Sequence, residues 1–334
     1  MTFEDRVRAL EPMGFTARQT RFIATVALHS GYCLRRQYRT FAGIRHGKNV
    51  RDFLDGLVRR GFAARFIHRA DRGAIYHVHA RAIYRLLGQD DNRNRREASA
   101  ALIARKIMVL DYVLAHPEHL WLATEPDKLE AFVERYAVPP SDLPHRVFVA
   151  SKPGASSTTR AFVHKLPIAL VGQPAVPHFV CLVTDTTGRA MEQFLADHRR
   201  LFAWLPAWTV VAISPSPTGL LASEVAFTRY LQRPSLAVTA SQDDLRWFFQ
   251  MRQTVDAGDL AGLSVAAIDR YRTLREAFRR PVFDELYLEW RRVGDVALTR
   301  RRASTQLPTR SVGTLMTELL PFDYSQFGSL PGVA

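Results

Sequence analysis

At 334 residues, with 47% hydrophobic and 23% charged residues, the chain is long and apolar enough to form two or three globular domains without disulfide or metal cross-links. Its two cysteines, Cys33 and Cys181, lie far apart, and the sequence contains neither an N-terminal apolar signal segment nor an uncharged apolar run near the ~20 residues that cross a bilayer, so we expect a cytoplasmic protein. Almost all of the formal net charge of +14 lies in residues 1–110, where 22 lysines and arginines face 9 acidic residues; this excess predicts a polyanionic partner, of which duplex DNA is the commonest.

Three short helices are predicted over residues 16–60. The first runs from the N-cap Thr16 to about Leu28, the second from about Cys33 to Phe41, and the third from about residue 47 to Arg60. A basic β-hairpin follows, with strands over residues 62–69 and 74–79 around a turn at residues 70–73.

This order resembles the winged helix-turn-helix DNA-binding domains over about residues 15–80. The segment GLVRRGFAARF is similar to the junction between the third helix and the wing in bacterial regulators. The resemblance implies double-stranded DNA as the partner, with the third helix in the major groove and the hairpin against the flanking backbone.

Two sets of polar side chains are the predicted DNA contacts. Base edges are expected to be contacted from the start of the third helix, and phosphates from the second helix and the hairpin tip. The predicted base contacts are Arg45, His46, Lys48, Asn49 and Arg51, and the predicted phosphate contacts are Arg35, Arg36, Arg39, Arg69 and Arg72. Winged helices also serve as protein-interaction modules, and that alternative stays open.

The histidines do not predict a metal site. His77 and His79 share a face of the second hairpin strand, with His68 across the hairpin, but strand histidines more often face solvent or phosphate. His116 and His119, around Pro117, are typical of a helix end.

A helical connector is predicted over residues 91–144, after the polar, turn-rich segment at residues 88–94. It comprises helices at about residues 95–115 and 126–136 and a proline-rich linker at 138–144. The apolar stripe of the first connector helix is explained equally by homodimerisation and by packing on the chain's own C-terminal domain.

The C-terminal half changes to an α/β pattern over residues 145–299. Strands are predicted at about residues 146–150, 160–171, 178–184 and 209–214, with helices near 190–204, 220–231, 243–255, 264–278 and 281–292. Residues 300–334 are expected to form an extended or disordered tail, pinned by Leu319, Leu320 and Phe322. The predicted fold class is therefore a multidomain α+β or α/β protein: a winged helix-turn-helix at residues 1–90, a helical connector, and a mixed α/β domain.

The segments LPIALV, HFVCLVTD and WTVVAIS, around a helix and after a winged helix, resemble the replication-relaxation proteins of mobile elements. That resemblance implies a C-terminal half similar to the PD-(D/E)xK nuclease fold, which cleaves phosphodiesters with metal-bound carboxylates and a lysine. The match fails at the chemistry, because Ile168 and Val183 stand where acidic residues would be needed. Asp185 alone corresponds, with Lys165 a distant candidate, which implies a catalytically inactive copy.

The sequence thus predicts a non-enzymatic, sequence-specific double-stranded DNA-binding protein that acts in transcription regulation or in the maintenance of a mobile genetic element. No catalytic residue, metal or cofactor is expected, since no nucleotide-binding loop, hydrolase elbow or zinc-protease motif occurs. The alternatives are a metal-dependent nuclease or relaxase-associated protein, and a protein-interaction adaptor that uses the winged helix. A ligand or protein partner of the C-terminal domain also stays open.

Overall fold

The computed structural model describes residues 1–44, 47–67, 74–148, 158–162, 166–232, 241–259, 263–278, 281–300 and 311–324. Within these residues the chain contains both α-helices and β-sheets, which confirms the coarse prediction of a mixed α and β protein. The chain divides into two compact units. The first comprises Met1–Asp197, Thr209–Tyr230 and Thr314–Ala334, and the second comprises His198–Trp208 and Leu231–Gly313.

The N-terminal part of the first unit contains five helices and a three-stranded sheet. The helices are α1 (Phe3–Leu10), α2 (Ala17–His29), α3 (Arg35–Ala42), α4 (Gly47–Arg59) and α5 (Arg81–Leu86). The strands are β1 (Tyr32–Leu34), β2 (Ala63–Ile67) and β3 (Ala74–Val78), all antiparallel, with β3 between β1 and β2. Three of the helices and the hairpin occur where the sequence predicts them, whereas α1, α5 and β1 were not predicted.

Local signals in the sequence explain how α2 begins and ends. Thr16 forms a capping box with Gln19: the Thr16 hydroxyl accepts from the Gln19 backbone, and the Gln19 side chain accepts from the Thr16 backbone. Gly31 follows the helix with φ of +79°, and a side chain there would overlap the Asn94 carbonyl oxygen. Glycine is therefore required at residue 31 for both its backbone angle and its small size.

An aromatic cluster holds α2, α3 and α4 together. The Tyr38 ring lies 4.9 Å from that of Phe22 and 4.3 Å from that of Phe53, measured between centroids. All three side chains are buried, and the apolar face of α4 packs on them. This packing fixes which face of α4 remains in solvent.

The middle of the chain adds two helices and a short strand to the same unit. Helix α6 (Ala100–Ala115) is followed by strand β4 (Leu120–Trp121) and helix α7 (Glu125–Leu129), which continues as a π-helical segment over Glu130–Arg135. One apolar cluster combines Tyr32, Leu34 and Ile75 of the three-stranded sheet with Ile107 and Met108 of α6.

Most of a five-stranded sheet lies in the first unit. Besides β4 it contains β7 (Ile168–Val171), β8 (Val176–Leu182), β9 (Ala207–Ser214) and β10 (Val312–Leu319). The order of the strands across the sheet is β10-β9-β8-β7-β4. Strands β5 (His145–Phe148) and β6 (Thr158–Ala161) form a separate two-stranded sheet. Strands β8 and β9 are parallel, which requires the crossover supplied by helix α8 (Arg189–Phe202), and helix α9 (Pro217–Gln232) follows β9. The predicted long strand at residues 160–171 is therefore two strands of different sheets.

Part of the predicted C-terminal tail belongs to this sheet. Strand β10 lies at its edge, and the Leu320 backbone nitrogen donates to the Ser214 carbonyl oxygen at 2.8 Å. Leu320 and Tyr324 are buried. Residues 311–324 are thus part of the fold. The expected anchoring by Leu320 and Phe322 agrees with their packing, whereas Leu319 is exposed.

The second unit contains a helical cluster. Its helices are α10 (Gln242–Asp256), α11 (Val265–Ala277), α12 (Pro281–Val293) and α13 (Val296–Arg300), and aromatic side chains including Phe248, Phe249, Phe278, Phe283 and Tyr287 form their core. Throughout the described ranges, no helix is both long and apolar enough to cross a membrane.

Candidate nucleic-acid interface

Helix α4 presents one face to the core and the other to solvent. Val50, Phe53, Leu54 and Leu57 are buried at helical spacing. The opposite face carries the exposed side chains of Lys48, Asn49, Arg51 and Asp52. The predicted residues Lys48, Asn49 and Arg51 therefore share one solvent-facing surface.

Three basic side chains near this surface have no acidic partner among the described residues. Arg39 in the last turn of α3, and Lys48 and Arg51 in the first half of α4, are exposed, and none pairs with an acidic residue of the described ranges. Unpaired cations keep their hydrogen-bond donors available to an anion. Arginine in particular can offer two parallel donors to a phosphate or to a guanine edge.

Arg35 is partly engaged by a small network beneath the same face. Its Nε donates to the Tyr76 hydroxyl at 2.9 Å, and this hydroxyl donates to Asp55 at 3.0 Å. The guanidiniums of Arg35 and Arg65 lie 3.7 and 3.9 Å from the Asp55 carboxylate. Burial raises the pKa of Tyr76, so its hydroxyl stays protonated and keeps donating to Asp55. Arg65 was not among the predicted contacts, although its place on the outward side of a basic hairpin strand could have indicated it.

Arg36 has a different environment from the other predicted contacts. Its guanidinium forms two hydrogen bonds with the Asp111 carboxylate, at 2.6 and 2.7 Å, and lies over the Phe322 ring at 3.8 Å. Asp111 is buried and also accepts from Gln37 at 3.0 Å and from Tyr324 at 2.7 Å. Arg36 therefore joins α3 to α6 and to the C-terminal segment, and its donors are directed into the protein. A signal was present in the sequence, since Asp111 interrupts the apolar stripe of a helix.

Four predicted contacts, Arg45, His46, Arg69 and Arg72, lie outside the described residues, as does His68. Of the hairpin histidines within the described ranges, His77 is buried with its ring 4.1 Å from that of Tyr32. Its Nε2 is 2.9 Å from the Asn94 carbonyl oxygen, which can only accept, so this nitrogen donates. His77 thus has a packing role.

The carboxylate that corresponds to the nuclease pattern caps a helix. One oxygen of Asp185 accepts from the Thr187 hydroxyl at 2.6 Å and from the Arg189 backbone nitrogen at 3.0 Å, at the start of α8. Its other oxygen is buried without a hydrogen-bond partner among the described residues. Ile168 and Val183 are buried and apolar, and Lys165 lies outside the described residues.

Comparisons of this chain with models of protein families, with curated proteins and with solved structures found no match.

Proposed function

We propose that this protein binds double-stranded DNA through the surface formed by α3, α4 and the β2–β3 hairpin, as a non-enzymatic, sequence-specific DNA-binding protein. The observation that carries the proposal is a trio of exposed cations, Arg39, Lys48 and Arg51, that form no ion pair with the described residues and lie in the region that holds nearly all of the net positive charge. We call these three residues the basic trio. The settings that such binding serves are transcription regulation and the maintenance of a mobile element.

The order of elements supports the proposal. Helices α2, α3 and α4 are followed by a hairpin, and β1 pairs with the returning strand β3, as in a winged helix-turn-helix. Helix α4 has its apolar face in the core and its N-terminal polar residues in solvent, which suits a helix that enters a major groove. We assign Lys48, Asn49 and Arg51 to the groove and Arg39, Arg35 and Arg65 to phosphates. Arg36 is assigned to the fold.

The test is the salt dependence of DNA binding by the full chain. We compare the wild type with the triple variant Arg39→Ala, Lys48→Ala, Arg51→Ala over a series of salt concentrations. Arg39 is assigned to phosphate, and the two cations in the groove also lie in the field of the phosphates. The slope of log K against log salt should therefore fall by about 1–3, because each neutralised phosphate contributes roughly 0.9. Affinity should fall at least tenfold at low salt, on both specific and random duplexes.

The matched control removes the same charge elsewhere. Arg105, Arg135 and Arg189 are exposed and form no ion pair with another described residue, so their replacement by alanine gives a triple variant of equal net charge. This control should keep the wild-type slope. Equal losses in both triple variants would show that binding follows net charge alone, and an unaffected affinity in the basic-trio variant would favour the protein-interaction adaptor. Enrichment of particular sequences from a pool of genomic fragments by the wild type tests sequence specificity.

A further inference from the structure

A cluster of side chains of the types that ligate metals lies after the end of α6. His116, Glu118 and His119 each offer one donor atom, and the three donor atoms lie within 4.8 Å of one another. His116 follows the last residue of α6, and the other two stand in the turn before β4. The short sequence His-Pro-Glu-His therefore brings two imidazoles and one carboxylate together.

The distances within the cluster match those between ligands of a tetrahedral zinc ion. Glu118 Oε1 lies 3.4 Å from His116 Nδ1 and 3.3 Å from His119 Nε2. Zinc binds nitrogen and oxygen at about 2.0–2.2 Å, so tetrahedral geometry places its donor atoms roughly 3.3–3.5 Å apart. Two of the three ligand pairs thus already have the required spacing.

A second carboxylate orients the first histidine. Glu318 of β10 lies 3.2 Å from His116 Nε2, the ring nitrogen that faces away from Glu118. When Nε2 carries the proton and donates it to Glu318, Nδ1 presents its lone pair toward Glu118 and His119. A carboxylate bound to the far nitrogen is the usual support for a metal-ligating histidine.

The two rings are held in place by aromatic neighbours. The ring of His116 lies 4.5 Å from Tyr112 and 4.9 Å from His119, and Trp121 lies 5.4 Å from His119, between centroids. The His119 side chain is only 12% exposed, and its Nδ1 is buried with no hydrogen-bond partner among the described residues. Because Nε2 is the nitrogen that faces Glu118, a metal ion bound there leaves Nδ1 to carry the ring proton.

One side of the cluster opens into a cavity. Glu118, His119 and Trp121 line a cavity of about 780 Å³ that also contacts α1 and α2. A fourth coordination position on this side would be accessible to water or to a small ligand, as in zinc sites with three protein ligands.

We propose that His116, Glu118 and His119 bind one Zn²⁺ ion, with Glu318 as the positioning residue for His116 and the fourth position open to the cavity. The sequence alone indicated only a helix end at His116 and His119. The carboxylate that orients His116 belongs to Glu318, 202 residues later in the chain, and is not visible in the local sequence. The site does not depend on the proposed DNA binding.

The test is titration of the full chain, freed of metal by a chelator, with Zn²⁺ alone in competition with a chromophoric zinc indicator. The wild type should bind one equivalent with micromolar or tighter affinity. Glu118→Gln keeps the size of an exposed side chain and should weaken binding at least tenfold, as should His119→Ala, and Glu318→Gln should weaken it by about tenfold to a hundredfold. His145→Ala is the matched control, because this exposed histidine lies on β5, outside the cluster, and should leave the affinity unchanged.

Optical readouts locate the ion. Co²⁺ bound in place of Zn²⁺ should give the visible absorption of a tetrahedral site and quench Trp121, and Trp121→Phe should remove most of that quenching. Absence of stoichiometric binding by the wild type would overturn the proposal. So would an affinity that stays unchanged in Glu118→Gln, a variant whose folding is checked by its thermal unfolding. Unchanged affinity in Glu318→Gln would remove the positioning role.

Discussion

Arg36 and Arg39 illustrate how identical side chains on one helix acquire different roles. They stand three residues apart on α3, and both were predicted to contact phosphate. The Arg36 side chain is 21% exposed and its guanidinium faces the Asp111 carboxylate, which is 4% exposed. Arg39 is exposed. The difference comes from α6 and the C-terminal segment, which cover one arginine and leave the other in solvent.

Their alanine variants should therefore change different properties, folding stability for Arg36 and DNA binding for Arg39. Arg36→Ala leaves the buried Asp111 carboxylate without its cation, and we expect the free energy of unfolding to fall by about 3 kcal/mol. Arg39→Ala should change it by less than about 0.5 kcal/mol while lowering the salt slope of DNA binding. Urea denaturation measures the first quantity and binding isotherms the second.

The buried charge itself can be tested by a second substitution. Asp111→Asn in the Arg36→Ala background removes the unpaired carboxylate. Its amide oxygen keeps an acceptor for Gln37, and its amide nitrogen can donate to the Tyr324 hydroxyl oxygen, so part of the lost stability should return. A folded Arg36→Ala protein with wild-type stability and a reduced salt slope would instead place Arg36 on the DNA.

Between elements, an ion pair attaches α1 to the start of α7. Arg6 is buried and donates to both oxygens of Asp127 at 2.8 Å, and Thr124 accepts from the same guanidinium at 3.3 Å. Burial alone would raise the pKa of Asp127, but the hydrogen bonds and charge of Arg6, together with the hydrogen bonds from Thr124, lower it below its usual value. The folded state thus favours the carboxylate more strongly than the unfolded chain does.

This pair predicts an acid-dependent loss of stability. Because the pKa is lower in the folded state, the contribution is fully present above the unfolded value of about 3.9 and is lost as the pH falls through the folded value. Asp127→Asn should lower the free energy of unfolding by about 2 kcal/mol at pH 7. The difference in this free energy between variant and wild type should become smaller below about pH 4. Urea midpoints from pH 7 to pH 3 measure this. Asp91→Asn, at an exposed aspartate, is the control and should have the urea midpoint of the wild type at each pH. If the stability difference between Asp127→Asn and the wild type stayed the same at every pH, the coupling of this ion pair to proton binding would be refuted.

At this scale the sequence predicts elements whose signal is local. Helices α2 and α4 have strong apolar periodicity, and strands β2 and β3 pair within the two stretches predicted as the hairpin strands, whose turn at residues 70–73 lies outside the described residues. Strand β1 was missed because Tyr32–Leu34 is defined by pairing with β3, more than 40 residues later in the chain. The exposed face of α4 could be predicted because its apolar spacing is local. The sequence marks Asp111 as a polar residue within an apolar stripe, but it does not identify Arg36, 75 residues away, as its partner.

In the whole molecule, the polar segment at residues 88–94 does not separate the N-terminal elements from α6. The Asn94 amide donates to the carbonyl oxygens of Ala27 and Leu28 at 3.0 and 3.1 Å. Lys106 donates to Ser30 and to Asn94, both at 2.8 Å. The first unit accordingly continues through both predicted boundaries, at residues 90 and 144. Composition alone cannot distinguish a linker from a polar segment whose groups form hydrogen bonds with the end of a helix.

The shared core therefore predicts how truncated chains behave. A fragment of residues 1–90 loses α6, so Tyr32, Leu34 and Ile75 lose their apolar cover, and the buried Gln37 side chain loses its partners on Ile107 and Asp111. We expect this fragment to bind a hydrophobic dye and to unfold without a cooperative transition. A fragment of residues 1–116 keeps α6 and should recover a cooperative transition by circular dichroism.

Cooperative unfolding of residues 1–90 would contradict this expectation and show that the N-terminal elements form an independent domain, on which DNA binding could then be measured directly. If the expectation holds, DNA binding has to be measured on the full chain, because failure of the short fragment would report unfolding and leave the basic trio untested.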